Sequence, residues 1–261
     1  MEAYAFINGT SLEYVFLLFL RMAGLIWTSP IFGRKNVPNM AKLAYCLSLT
    51  YFFFVSVPQY APLPTGSLFT FVMYGALELL FGIIMGYILT LFFDVAFTAG
   101  QLVDWQMGFS MASVFDVESN ASVPVTGNLI NIMTLLMFFA LDGHLMLIRL
   151  MHTALIEIPI GGVVYHSGLT SVIVEFFIQA FVLAIRLALP MIASGMIAEV
   201  VLGLILRAVP QMNVFVIGMP LKVLLGLAML AAIMPVYVDF TTEIFDTMFN
   251  GISRAFMELR A

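Results

Sequence analysis

Asp142 and His144 stand two residues apart in the segment LDGHL, and His152 follows eight residues after His144. A carboxylate near an imidazole is the pairing a proton relay uses, because histidine titrates near neutral pH. Two histidines eight apart also fall near one face of a helix, as metal ligands would. No third ligand follows at a metal-site spacing, and the third histidine, His166, does not complete one. LDGHL is therefore read as a polar break near a helix interface, and EIPIGG (157–162) as a turn from its Pro and Gly content. The chain holds no HExxH, GxSxG, Walker lysine loop or paired cysteines. Its one cysteine, Cys46, sits in an apolar run, as a small core residue does. Catalytic, cofactor-binding and metal-ligating residues are accordingly expected to be none.

The remaining ionisable residues matter for their surroundings. Glu78, Glu175, Arg186, Glu199 and Lys222 all lie inside apolar runs. Each would cost roughly 2.5–3.5 kcal/mol at the centre of a bilayer. Arg186 and Glu199 are 13 residues apart, too far to pair within one helix. These five are expected to find interhelical or intersubunit partners. Left without them the isolated chain would be unstable.

The elements that carry these residues are set by composition. Of 261 residues 62% are hydrophobic and 10% charged, with mean hydropathy +1.08. An ordinary soluble domain is about 25% charged, and a chain of this size cannot hide so much apolar surface from water. The solvent is a bilayer. The net charge of −5, with ten scattered basic residues, excludes nucleic acid as a partner. The opening segment lacks a basic n-region and a small-residue cleavage site, so it is not read as a signal peptide. Thr10 and Glu13 instead have the spacing of a capping box.

The apolar runs predict an all-α membrane protein of about six long, partly kinked helices, near 11–28, 39–57, 66–103, 127–156, 171–206 and 214–249. Between the first two, SPIFGRKNVPNMAK carries Arg34, Lys35 and Lys42 and would face the cytoplasm. Pro190, Pro220 and Pro235 interrupt apolar runs and should kink their helices. The third run spans roughly 38 residues, or about 57 Å as helix, against about 30 Å of hydrocarbon. Asp94 and Asp104 would then lie beyond the conventional membrane plane. Long, kinked, charge-bearing helices suit a protein packed mainly against other protein.

Near the centre the pattern changes. DWQMGFSMASVFDVESNASVPV (104–125) contains four serines, three acids, an asparagine and a glycine, with no Lys or Arg. It is too polar for lipid and too apolar for a fully wetted loop. Met107, Met111, Met212, Met219, Met229 and Met234 lie in it or in the C-terminal third. Methionine fills irregular gaps, so each reads first as core filling and collectively as a compliant seal.

RMAGLIWTSPIFGRKNVPNMAKLAYCLSL, QMGFSMASVFDVESNASVPV, LDGHLMLI with IPIGG, and RAVPQMNVFVIGMPLKVLLGL resemble, in this order, the blocks of the flagellar biosynthetic protein FliR family. The resemblance covers about residues 20–240. It implies a subunit of the flagellar type III export gate in the bacterial inner membrane, at the flagellar basal body. There it would join FliP, FliQ and FlhB around a path for unfolded flagellar proteins. It implies a FliP-like part over roughly 1–165 and a FliQ-like helical hairpin over roughly 170–250. It also implies that the central segment plugs the pore. Carried over, the plug comprises Gln106, Met107, Gly108, Phe109, Ser110, Met111, Ser113, Phe115, Asp116, Glu118 and Ser119, within 106–122. The phenylalanines and Met111 would form the blocking surface, and Asp116 and Glu118 would face water. Val117 follows Asp116 where the family often has proline. Two alternatives remain. One is the equivalent subunit of a virulence type III system. The other is a small-solute transporter, which would need matched broken helices in two repeats; the first half shows no counterpart to the breaks at Pro190 and Pro220.

Overall fold

The computed structural model describes residues 9–34, 36–57, 67–108, 124–166, 168–208 and 214–259. Within them the chain forms seven α-helices: α1 (Gly9–Thr28), α2 (Asn39–Ser56), α3 (Leu68–Met107), α4 (Val125–Ala140), α5 (Gly143–Glu157), α6 (Gly168–Ala208) and α7 (Val214–Leu259). No strand occurs among the described residues. At 1.5 Å per residue α3, α6 and α7, with 40, 41 and 46 residues, are about 60, 62 and 69 Å long. Each is about twice the depth of a hydrocarbon core. Leu68–Met107, Gly168–Ile205 and Pro220–Met257 are apolar and long enough to cross a membrane; α4 and α5 together could supply a fourth span.

The run 127–156, the end of α7 and the start of α1 differ from the sequence-based expectation. The run 127–156 is two helices, not one. Asp142 adopts a left-handed conformation (φ 55°), which ends the helical path there. The Leu141 amide closes α4 on the Met137 carbonyl, and the Asp142 carbonyl accepts from Leu145 and Met146 to start α5. α7 continues ten residues beyond 249 to Leu259. α6 carries Pro190, and α7 carries Pro220 and Pro235, inside continuous helix. α1 starts at Gly9, so Thr10 is already helical.

The fold groups into two compact units, each of several chain segments: residues 1–91, 142–176 and 247–261, and residues 92–141 and 177–246. In the first, Leu17, Leu18, Met22 and Ile26 of α1 are buried with Phe53 and Cys46 of α2 and Phe81, Met85 and Ile88 of α3. Phe81 stacks on Phe256 at 6.0 Å between centroids, and Phe32 on Tyr45 at 4.5 Å. The turn before α2 is closed by its own cations. Lys42 Nζ donates to the Gly33 carbonyl at 3.0 Å, and Arg34 Nε to the Pro30 carbonyl at 3.0 Å. α1 and α3 touch backbone to backbone. A Cβ on Gly24 would fall 2.5 Å from the Leu79 carbonyl oxygen, and one on Gly82 would strike the Arg21 carbonyl.

The second unit is built on Ala96, Ala99, Val103 and Met107 of α3, Ile130 of α4, Leu187, Ala188 and Met191 of α6, and Leu230 and Tyr237 of α7. Phe93, Phe138 and Phe245 form a ring cluster with centroids 5.4–5.9 Å apart. Inside this unit the Tyr237 hydroxyl pairs with that of Thr134 and donates to the Ile130 carbonyl at 3.1 Å, so its buried oxygen is satisfied.

Candidate functional site

The central segment follows α3 and precedes α4, and the flanking parts of both helices belong to the second unit. Gln106 and Met107 are the last helical residues of α3, and Gly108 is a turn at φ +80°. A Cβ there would meet no atom within 4 Å, so glycine is required by the backbone angle and not by crowding. The Gly108 amide donates to the Trp105 carbonyl at 3.2 Å. Phe109, Ser110, Met111, Ser113, Phe115, Asp116, Glu118 and Ser119 lie outside the described residues.

Both ends of the segment are held together. Asp104, one turn before Gly108, is 3% exposed. Its two carboxylate oxygens each accept from the Thr126 amide at 3.1 Å, and one accepts from Gly127 at 3.4 Å. α4 begins after Pro124 with no cap from its own N-cap side chain, and Asp104 supplies that cap from another helix. The negative carboxylate also complements the positive end of the α4 dipole. The approach is close because Gly100 faces Gly127: a Cβ on Gly100 would overlap the Gly127 backbone. The polarity of Asp104 thus has a local cause, while Asp94 is exposed. Asp104→Ala should lose about 1.5–3 kcal/mol, the range for hydrogen bonds to a charged group. Asp104→Asn, which keeps one acceptor, should lose less. Thermal unfolding of the purified protein measures both.

The two residues before Gly108 are seated in notches. A Cβ on Gly195 of α6 would overlap Gln106 and come within 2.8 Å of its Nε2, and one on Gly226 of α7 would come within 2.7 Å of Met107 Sδ. Met191, Ser194 and Lys222 line the same cavity.

All five expected charges have partners on other helices of this same chain. Arg21 Nε meets Glu78 Oε2 at 2.5 Å with both side chains 1% exposed. Lys222 pairs with Glu199 at 2.7 Å, Arg254 with Glu175 at 3.1 Å and Arg186 with Glu243 at 3.9 Å. Unpaired charge is therefore no reason for the isolated chain to be unstable. The three outer pairs are largely exposed and contribute little. The Arg21–Glu78 pair is enclosed and part of a network. Arg21 Nη1 donates to the Ile158 carbonyl at 3.0 Å, and its guanidinium lies 4.3 Å from the centre of the Phe81 ring. The Gly161 amide donates to Glu78 Oε1 at 2.8 Å. Tyr165 donates to the Leu77 carbonyl at 3.0 Å. Burial first, then the Glu78 charge, push the Tyr165 phenol up to about 12. The IPIGG turn is therefore fastened to α1 and α3 by buried charge. Arg21 was not among the expected site residues; its signal is one cation inside the apolar run VFLLFLRMAG. His144 and His152 stand on α5, and no group of three or more His, Cys, Asp or Glu that could hold a metal occurs among the described residues.

Long apolar helices joined by ion pairs, one of them fully buried, define an all-α membrane protein. The sequence profile described as "Bacterial export proteins, family 1" matches residues 12–248, and the chain belongs to that family. It is similar to the flagellar biosynthetic protein FliR of Escherichia coli (strain K12), 32% identical over 95% of this chain and 94% of that protein. It is also similar to the proteins of that name from Aquifex aeolicus, 29% identical over 92% and 94%, and Bacillus subtilis, 28% identical over 88% and 89%.

Proposed function

We propose that this chain is a subunit of the flagellar type III export gate in the bacterial inner membrane, at the basal body. With FliP, FliQ and FlhB it lines a closed path for unfolded flagellar proteins, and residues 106–122 seal that path at rest. Its role is structural and not catalytic. Residues 1–165 act as the FliP-like part and 170–250 as the FliQ-like hairpin. The outer charges at Glu175, Arg186, Glu199 and Lys222 lie where neighbouring subunits could engage them.

The observation that carries the sealing role is the pinning of both ends of the central segment. Asp104 fixes the start of α4 beside the end of α3, so the two flanks of residues 109–123 are tied to each other. A passing chain could displace such a segment without unfolding either helix. Its composition, with Phe109, Met111 and Phe115 among serines, suits a plug that excludes ions yet is not bonded into lipid.

The test is removal of Gly108–Asn120 in cells expressing the whole export complex. Membranes should become permeable to ions and small solutes while the complex still co-purifies. A complex that assembles without the segment and stays as tight as wild type removes the sealing role.

A further inference from the structure

We propose that Gly195 and Gly226 position the seal, because they are the notches that hold Gln106 and Met107 at its root. This rests on the sealing role proposed for residues 106–122.

Gln106 and Met107 are the last two helical residues before the break at Gly108, so their seating sets where the segment begins. The two notches come from different helices, Gly195 from α6 and Gly226 from α7. A methyl at Gly195 would overlap the Gln106 side chain and lie 3.0 Å from its Cδ; a methyl at Gly226 would lie 2.6 Å from Met107 Cγ. Gln106 Nε2 is buried with no hydrogen-bond partner among the described residues. Its neighbours Ser194 and Lys222 direct their polar atoms to the Met191 carbonyl and to Glu199. Among the described residues, shape and not a hydrogen bond from Nε2 therefore holds Gln106. Met107 is 4% exposed and packed in the same core. By contrast Gly203, two turns further along α6, has open space around it, so close packing is local to the root.

The prediction is size complementation. In the assembled complex, Gly195→Ala and Gly226→Ala should each raise resting ion leak on the order of 10-fold, from overpacking that unseats the root. Truncating the occupant of the same notch should restore tightness: Gly195→Ala with Gln106→Ala, and Gly226→Ala with Met107→Ala. The crossed pairs, Gly195→Ala with Met107→Ala and Gly226→Ala with Gln106→Ala, should stay leaky. Gly203→Ala should stay tight. Leak that is equal in matched and crossed pairs overturns the proposal. So do tight Gly195→Ala and Gly226→Ala complexes in a background where deletion of 108–120 leaks. If that deletion does not leak, the sealing role fails. The notches are then judged by the midpoint of thermal unfolding: matched pairs more stable than crossed pairs uphold the seating, and equal midpoints overturn it.

Discussion

Replacing Arg21 with methionine should destabilise the protein by about 3–5 kcal/mol, the cost of leaving one half of a buried ion pair behind. Arg21 and Glu78 are both fully enclosed, so neither charge can turn to water. Without Arg21, the Glu78 carboxylate keeps only the Gly161 amide among the described residues, and the Ile158 carbonyl loses its donor. The IPIGG turn then loses its hydrogen bond to α1. Arg21→Lys should recover only part of the loss. A lysine ammonium can meet Glu78, but it lacks the planar fork that reaches Glu78 and Ile158 together. The informative variant is Arg21→Met with Glu78→Met, in which no charge is stranded. It should be clearly more stable than either single substitution, because the desolvation of both ions is removed with their attraction. Thermal unfolding of the purified assembly, with steady-state abundance in the membrane, reads all four. A double variant no more stable than Arg21→Met would mean that Arg21 acts through packing on Phe81 and not through its charge.

The long helices were legible because unbroken apolar runs are a composition signal that survives any tertiary arrangement. The length mismatch of α3 was legible for the same reason. The break at Asp142 was legible only as the polar interruption LDGHL, and the division of the run into two helices was not. One left-handed residue ends a helix while leaving the apolar pattern intact on both sides, and Asp is a residue that tolerates that angle. The charges in apolar runs pointed to pairing, but sequence could not choose partners across 57 residues for Arg21 and Glu78 or 79 for Glu175 and Arg254. Asp104 illustrates the limit most sharply. It reads as a solvated acid at the end of a long helix, yet it caps a different helix, 22 residues on. The polar stretch between α3 and α4 was legible as an interruption of the apolar pattern; that Asp104 joins its two flanks was not. The glycine contacts had an available signal. FGIIMG places Gly82 and Gly86 at the GxxxG spacing inside an apolar run, which marks a face where two helices approach closely.

That face yields the second large effect. Gly82→Ala should cost about 3 kcal/mol or more, at or beyond the upper end of overpacking. Its methyl would overlap the Arg21 carbonyl and lie 2.8 Å from the Leu25 amide nitrogen and 3.0 Å from Gly24 Cα. All three are backbone atoms of α1 and cannot rotate aside. Relief requires α1 to move away from α3. That movement also stretches the Arg21–Glu78 pair, one turn away on the same face, so the two losses should be coupled and not additive. Gly86→Ala should cost less, since its worst clash is the rotatable Thr28 hydroxyl, although the Leu25 carbonyl at 2.9 Å keeps it unfavourable. Gly75→Ala is the control on the same helix. Its methyl meets only the tips of Leu20 at 3.0 Å and Leu17 at 3.7 Å. Alanine also favours helix over glycine by up to about 1 kcal/mol, so this variant should be neutral or stabilising. The ranking Gly75, Gly86, Gly82 in order of increasing damage follows from what each methyl meets. Unfolding midpoints of the three variants in the assembled complex check it. Equal midpoints for Gly82→Ala and Gly75→Ala would show that α1 and α3 do not cross backbone to backbone at this point.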